Sequence, residues 1–177
     1  MDNFATIILS EKDFKKKIGI MYMLQRKSDI FYDNSVIFKA FLVKLFLEKT
    51  DLPMDENLII TACLLCSCKK KTNKQVPGVE DNTESASYLT KLGFPKRFCK
   101  ICEEYNNRNG NLPREKESDI LELVDIFGDL LLDSPERKGL TVDEALVLLS
   151  ERYFKDKDNI YLKQFKDFVI RMEEIKI

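Results

Sequence analysis

Apolar residues recur at the spacing of helix turns in one segment of the chain after another, and this pattern constrains the fold more than any other feature. The stripe of one predicted helix, over residues 35–49, consists of Val36, Ala40, Val43 and Leu47. A run that is apolar nearly all round, residues 57–65, indicates a central helix. The chain shows no convincing pair of strand patterns. The sequence therefore predicts an all-α fold, a single compact helical bundle.

Polar residues mark where several of the predicted helices begin and end. Asp55 precedes the central run and is a candidate N-cap. Thr141 and Glu144 have the spacing of a capping box, and Gly93 suits the end of a helix. Two polar stretches are predicted loops, residues 69–82 and 106–111.

The first predicted helix begins at the polar residues 10–13 and has an apolar stripe that includes Phe14, Ile18 and Tyr22. Lys15–Lys17 are interpreted as the exposed side of this helix. Most of the aromatic residues in the chain sit on apolar stripes, so they are predicted to be core residues and not a platform on which bases stack.

The chain contains no histidine, and this absence excludes several kinds of chemistry. Mechanisms that use a histidine base or a histidine-bound zinc are not available to it. Lys+Arg 29 nearly balances Asp+Glu 30, which argues against a nucleic-acid partner. No apolar run approaches the ~20 residues of a membrane helix, and the N-terminus lacks a signal-peptide pattern. We therefore expect a cytoplasmic protein with reduced thiols and no membrane partner.

Four segments of the chain carry a further pattern: residues 64–70, 88–95, 119–130 and 134–146. Their order and spacing resemble those of the HD-GYP subgroup of the HD phosphohydrolases. Together the resemblance covers roughly residues 30–170. It implies an HD-GYP-like helical domain over residues 31–177 and an N-terminal helical extension, residues 1–30, packed on its core.

The resemblance also implies where metal ligands would lie. Family members hold two or three iron or manganese ions with His and Asp side chains and hydrolyse phosphodiesters, often cyclic di-GMP. The corresponding positions here are Asn34, Cys66, Ser67, Asn82, Glu103, Glu104 and Asp125. Only Asp125 matches a family ligand, and one Asp cannot hold a catalytic metal pair. The resemblance therefore implies a chain that is not an enzyme and has no cofactor.

Two features leave room for other sites. The pair Glu103–Glu104 could form a rebuilt oxygen-ligand site with Asp125, although two Glu residues on a helix more often form a solvated face. Lys70, Arg137 and Lys138 occupy positions that contact phosphate in active relatives. Lys70 belongs to a lysine-rich loop for which the alternative is simple solvation.

The cysteines form two clusters, a C-x-C and a C-x-x-C. Their four residues are Cys66, Cys68, Cys99 and Cys102, with Cys63 nearby. In the family fold both segments face the metal centre, which would bring the two clusters close together, so the four thiolates are a candidate structural zinc site. A disulfide is a second alternative. Packing as small core residues is the interpretation that we favour.

These observations predict a catalytically inactive HD-GYP-like domain that acts as a protein-binding or regulatory module. A nucleotide sensor that binds without hydrolysing, with a cyclic dinucleotide as ligand, is the first alternative. A metal-dependent phosphodiesterase with a rebuilt site is the second alternative. The sequence does not identify the protein partner.

Overall fold

The computed structural model describes residues 4–27, 34–68, 83–105, 113–135, 137–154 and 159–174, and within them every element is helical. The helices are α1 (Phe4–Ser10), α2 (Phe14–Lys27), α3 (Ser35–Thr50), α4 (Glu56–Leu65), α5 (Thr83–Lys91), α6 (Lys96–Glu104), α7 (Lys116–Leu131), α8 (Val142–Leu148) and α9 (Leu162–Glu174). A π-helical turn, Leu149–Tyr153, extends α8. No strand occurs in the described ranges. The predicted all-α class is confirmed.

The capping residues act as the sequence predicts. The Asp55 carboxylate accepts a hydrogen bond from the backbone N–H of Leu58 at the start of α4. Thr141 and Glu144 form a reciprocal capping box at the start of α8. Gly93 adopts a positive φ of 83° after α5, a conformation that glycine reaches without a steric cost.

The N-terminal region differs from the prediction in two respects. A helix not predicted from the sequence, α1, precedes the expected one and buries Ala5 and Ile8. The expected helix, α2, begins after Asp13, whose carboxylate accepts a hydrogen bond from Lys16 N at 2.9 Å. The short α1 has too few turns to produce a recognisable stripe of its own.

Lys17 is buried, so the interpretation of Lys15–Lys17 as an exposed set is wrong for this residue. Its ammonium donates hydrogen bonds to the carbonyl oxygen of Ile8 and, at 2.6 Å, to Oγ1 of Thr61. Burial lowers the pKa of Lys17 to about 8, against the opposing charges of Glu11 and Asp55. Lys17 therefore joins α1, α2 and α4 through polar contacts inside the core.

The core lies where α3, α4 and α7 meet. The central run predicted for α4 is confirmed, since every residue from Ile59 to Leu65 is buried. On the other side of α3, the ring of Phe165 from α9 packs edge-on against Phe46 and Phe127, each at 5.3 Å between centroids. The packing of α3 against both α4 and α7 positions the candidate site.

Several predictions lie outside the described residues: the two loops over residues 69–82 and 106–111, the boundary between residues 30 and 31, and the side chains of Lys70 and Asn82. Within the described ranges, none of the helices has the length and apolar character needed to cross a membrane.

Candidate functional site

Asp125 on α7 forms an ion pair with a lysine that the sequence analysis did not select. Nζ of Lys39, on α3, lies 2.6 Å from Oδ1 of Asp125 and 2.6 Å from Oδ1 of Asp129. Only 6% of the Lys39 side chain is exposed, against 18% for Asp125 and 54% for Asp129. The two carboxylates stand one helical turn apart and hold the ammonium between them.

The space for Lys39 depends on a glycine of α7. A Cβ at Gly128 would lie 2.7 Å from Cγ of Lys39, too close for any real pair of carbon atoms. The lysine chain therefore crosses α7 at Gly128 and ends between Asp125 and Asp129. Burial alone would lower the pKa of Lys39, but the two carboxylates outweigh it and raise the pKa above its ordinary value. The site holds a permanent internal cation.

The other implied positions that the structure describes do not complete a ligand set around Asp125. Asn34, at the start of α3, accepts a hydrogen bond from the Tyr22 hydroxyl at 2.9 Å. Cys66 follows α4 with its buried thiol 3.7 Å from the carbonyl oxygen of Cys63, and Ser67 is half-buried. Cys63 lies near enough to Asp125 for that carboxylate to raise the pKa of its thiol, although burial is the larger cause.

The glutamate pair of α6 is split by the fold. Glu103 is exposed, whereas Glu104 is buried, so the interpretation of a solvated face is wrong for Glu104. The Glu104 carboxylate accepts hydrogen bonds from Glu115 N at 2.8 Å and from the Ser118 hydroxyl at 3.2 Å. Ser118 precedes Asp125 by two turns of α7, about 10 Å. Glu104 therefore connects α6 to the start of α7 and does not join Asp125.

A set of ion pairs between α6 and α7 surrounds Glu104, and the sequence analysis did not anticipate it. Arg97 pairs with Glu117 at 2.7 Å, and Lys100 pairs with Glu115 at 3.2 Å. These carboxylates lie at the start of α7, and the cations lie in the first two turns of α6. The cluster fastens one helix to the other, which is a structural role.

A second arginine beside this cluster contributes to the same connection. Arg114 pairs with the buried Glu122 at 3.2 Å and donates to the carbonyl oxygen of Glu104 at 3.0 Å. Its guanidinium therefore satisfies a carbonyl at the end of α6 as well as a carboxylate inside α7.

The five cysteines are buried free thiols in one region of the core. Burial raises the pKa of Cys102 well above its ordinary value, and the nearby thiols of Cys66, Cys68, Cys99 and Cys63 add to the shift. The two cysteine clusters are thus neighbours in space. Among the residues that the structure describes, no group of three or more such side chains is arranged to hold a metal ion. All five thiols lie within the hydrophobic core.

Arg137, one of the positions implied to contact phosphate, is engaged by the backbone of α7. Its guanidinium donates to the carbonyl oxygen of Leu130 at 2.9 Å and to that of Asp129. These are carbonyls at the C-terminal end of the helix, which lack partners within it. Lys138 is exposed beside this cap. Arg137 therefore caps the C-terminal end of α7.

A cavity of about 350 Å³ lies between the C-terminal end of α3 and one side of α9. Its lining residues are Lys49, Thr50, Gln164, Asp167, Phe168, Arg171 and Met172. None of them belongs to the positions implied by the resemblance. Two cations, one carboxylate and the C-terminus of α3 give the cavity no dominant charge.

The residues at the implied ligand positions do not fit a metal pair of the HD type. Asp125 is already neutralised by Lys39, Asn34 is a neutral amide, and the Cys66 thiol is buried. The fold and the site define an all-helical domain with an ion pair at its centre. Comparisons of the chain with protein-family models, curated proteins and solved structures gave no match.

Proposed function

We propose that the chain is a catalytically inactive HD-GYP-like domain that acts as a protein-binding or regulatory module in the cytoplasm. The observation that supports this most is the ion pair of Lys39 with Asp125, the one family ligand that the sequence retains. Packing residues and site residues are separable, so a helical core can persist after its chemistry is lost.

Electrostatics argue against a metal at Asp125. Two unit charges 4 Å apart interact by about 4 kcal/mol at an effective dielectric constant of ~20. A divalent cation at Asp125 would therefore meet about 8 kcal/mol of repulsion from the Lys39 ammonium. The neutral side chains of Asn34, Cys66 and Ser67 do not offset this cost. The buried Glu104 carboxylate is already engaged by Glu115 N and the Ser118 hydroxyl, and Glu103 is exposed on α6.

The nucleotide-sensor alternative has less support than protein binding. Arg137 is engaged with two backbone carbonyls, and leaving them would expose the end of α7. Lys138 is a single exposed lysine, which binds phosphate weakly without a bidentate partner. Protein binding is supported instead by exposed large apolar side chains, among them Tyr22, Met23 and Phe41.

Activity and metal content test the proposal together. We expect protein purified without chelator or a metal-affinity column to contain no stoichiometric iron or manganese and to leave cyclic di-GMP intact when manganese is added. Turnover that is lost in Asp125→Ala, but kept in the matched variant Asp129→Ala, would contradict the proposal and support a rebuilt metal site.

Calorimetric titration with cyclic di-GMP separates the sensor from the protein-binding module. We expect no heat of binding at high micromolar nucleotide. Binding that disappears in Lys138→Ala would favour the sensor instead. Lys163→Ala serves as the control, because Lys163 is an exposed lysine of α9 remote in sequence from Arg137.

A further inference from the structure

The first two long helices lie side by side in opposite directions. The ring of Phe14, at the start of α2, lies 6.2 Å from that of Phe41 on α3. The hydroxyl of Tyr22, two turns farther along α2, donates to Asn34 at the start of α3. The two contacts fix a line of contact between the helices, which we call the α2–α3 seam. Its residues are Phe14, Ile18, Tyr22, Phe38 and Phe41.

The α2–α3 seam leaves aromatic surface uncovered. Tyr22 is 38% exposed, Phe38 37% and Phe41 47%, while Phe14 and Ile18 are half-buried. Phe14 and Tyr22 are eight positions apart on α2, which gives the apolar strip a length of about 12 Å. This length matches two turns of another helix, which could place apolar side chains between the two that form the seam.

Among the described residues, the α2 side of the α2–α3 seam is mainly basic, with one exposed carboxylate, Asp13, at the end where α2 begins. Lys15, Lys16 and Arg26 of α2 are exposed, and α2 contains no acidic residue. Among the described residues, none of the three cations forms an ion pair. On the other side, the exposed positions from Phe38 to Phe41 carry no charge. An apolar strip with an unbalanced basic edge is complementary to a surface that is apolar and acidic.

We infer that the α2–α3 seam docks an acidic amphipathic helix of a partner protein. This inference rests on the proposed function, because it names the chemistry of the partner that such a module would bind. The apolar face of the partner helix lies on Tyr22, Phe38 and Phe41, and its carboxylates face Lys15 and Arg26. Binding of an amphipathic helix in an apolar groove is a general mode of peptide recognition.

Two other occupants fit the seam less well. A second copy of the chain would bring the same basic edge against itself, and like charges at an interface are costly. A surface that binds a membrane needs apolar side chains that project beyond the surrounding protein surface. The seam aromatics are all less than half exposed and lie between two helices, so they suit a helix more than a bilayer.

Fluorescence anisotropy with three labelled 18-residue peptides tests the inference on the full chain. The first peptide has Leu at helical spacing and Glu elsewhere, the second has Lys in place of Glu, and the third is a scrambled form of the first. We expect the chain to bind the first at least about tenfold more tightly than the others. Phe41→Asp should weaken this binding by at least about tenfold.

A matched control and a charge reversal make the test specific to the seam. Val147→Asp changes another exposed apolar residue, on α8, and should bind the first peptide as the parent does. The double variant Lys15→Glu/Arg26→Glu should prefer the lysine peptide. Circular dichroism checks that each variant keeps its helical content.

Three outcomes would overturn the inference: equal binding of the acidic and basic peptides, no binding of any peptide, or binding to phosphatidylserine vesicles in preference to the acidic peptide. None of these outcomes bears on catalysis, so the proposed function would still be decided by the metal-content and activity measurements. Phosphodiesterase turnover alongside normal peptide binding would instead remove the proposed function and leave the docking surface.

Discussion

At the scale of single residues, two of the described lysines, Lys17 and Lys39, are buried. Lys39 has two carboxylates, whereas Lys17 has only a carbonyl and a hydroxyl as partners. The pKa therefore shifts in opposite directions, upward for Lys39 and down to about 8 for Lys17. Burial lowers the pKa of both lysines, but the two carboxylates outweigh it at Lys39, so Lys39 stays charged while Lys17 becomes sensitive to mildly alkaline pH.

Asp125→Asn should lower the free energy of unfolding by about 3 kcal/mol, because it leaves the buried Lys39 ammonium without its inner carboxylate. Asp129→Asn removes the half-exposed partner and should cost less than about 1 kcal/mol. Urea unfolding of both variants measures the difference.

A double variant completes this comparison. Lys39→Met/Asp125→Leu removes both charges and should be closer to the parent in stability than Asp125→Asn is. Equal losses of unfolding free energy in Asp125→Asn and Asp129→Asn would show that Lys39 does not depend more on Asp125 than on Asp129.

Lys17 predicts a pH dependence of stability. The unfolded chain keeps the Lys17 proton up to its ordinary pKa of 10.5, whereas the folded chain releases it from about 8. Folding therefore releases a proton between these values, and the free energy of unfolding rises with pH in that window. Below pH 8 this contribution is constant.

Urea unfolding at pH 7.5, 8.5 and 9.5 checks this sign, with Lys17→Met as the reference in which the titration is absent. We expect the parent to gain stability relative to Lys17→Met as the pH rises. The exposed neighbour Lys16→Met is the control and should follow the parent. A falling difference would show that the Lys17 pKa is not lowered.

At the scale of elements, helices with a clear stripe or cap could be predicted, and buried polar partners could not. Asp55 and Thr141 mark the starts of α4 and α8 because a cap acts within a few residues. Lys39 and Asp125 are 86 positions apart, so no local pattern connects them. For the same reason, Lys17 was interpreted as part of an exposed run, because its hydrogen-bond partner Thr61 is 44 positions away.

The contact of α3 with α7 depends on Gly128, so Gly128→Ala should be destabilising by about 1–2 kcal/mol. Its new Cβ would displace the Lys39 chain and draw its ammonium away from Asp125, which outweighs the gain of about 1 kcal/mol in helix propensity.

Gly19→Ala is the matched control, because no atom lies within 4 Å of a Cβ at that position of α2. It should raise the free energy of unfolding by about 0.5–1 kcal/mol, as measured by urea unfolding. Stabilisation by both substitutions would mean that Lys39 does not cross α7 closely.

At the scale of the whole molecule, the core is continuous from α1 to α9 and contains all five cysteines. The all-helical class followed from periodicity, which is a property of the entire chain. The surroundings of the residues at the implied ligand positions could not be predicted, because they depend on how the helices pack. The residue types alone indicated which ligands are missing, whereas the structure was needed to find Lys39 beside Asp125.

Thiol labelling should report the opening of this core. Burial and the raised pKa of Cys63 and Cys102 protect their thiols, so the five cysteines should react with a disulfide reagent only as the chain opens. Labelling in increasing urea, followed by absorbance, measures the rate.

A chelator distinguishes this result from a zinc site. The labelling rate should be the same with and without EDTA. Faster labelling in EDTA, together with stoichiometric zinc in the purified protein, would assign Cys66, Cys68, Cys99 and Cys102 to a metal after all.

The cation between Asp125 and Asp129 is covalently part of the chain. A bound metal ion can dissociate or be removed by a chelator. A domain that depends on one therefore has metal-bound and metal-free forms, and their proportions follow the metal concentration. With Lys39 in that place, the contact between α3 and α7 has no empty form. This part of the domain should therefore hold the same arrangement during metal starvation and metal excess.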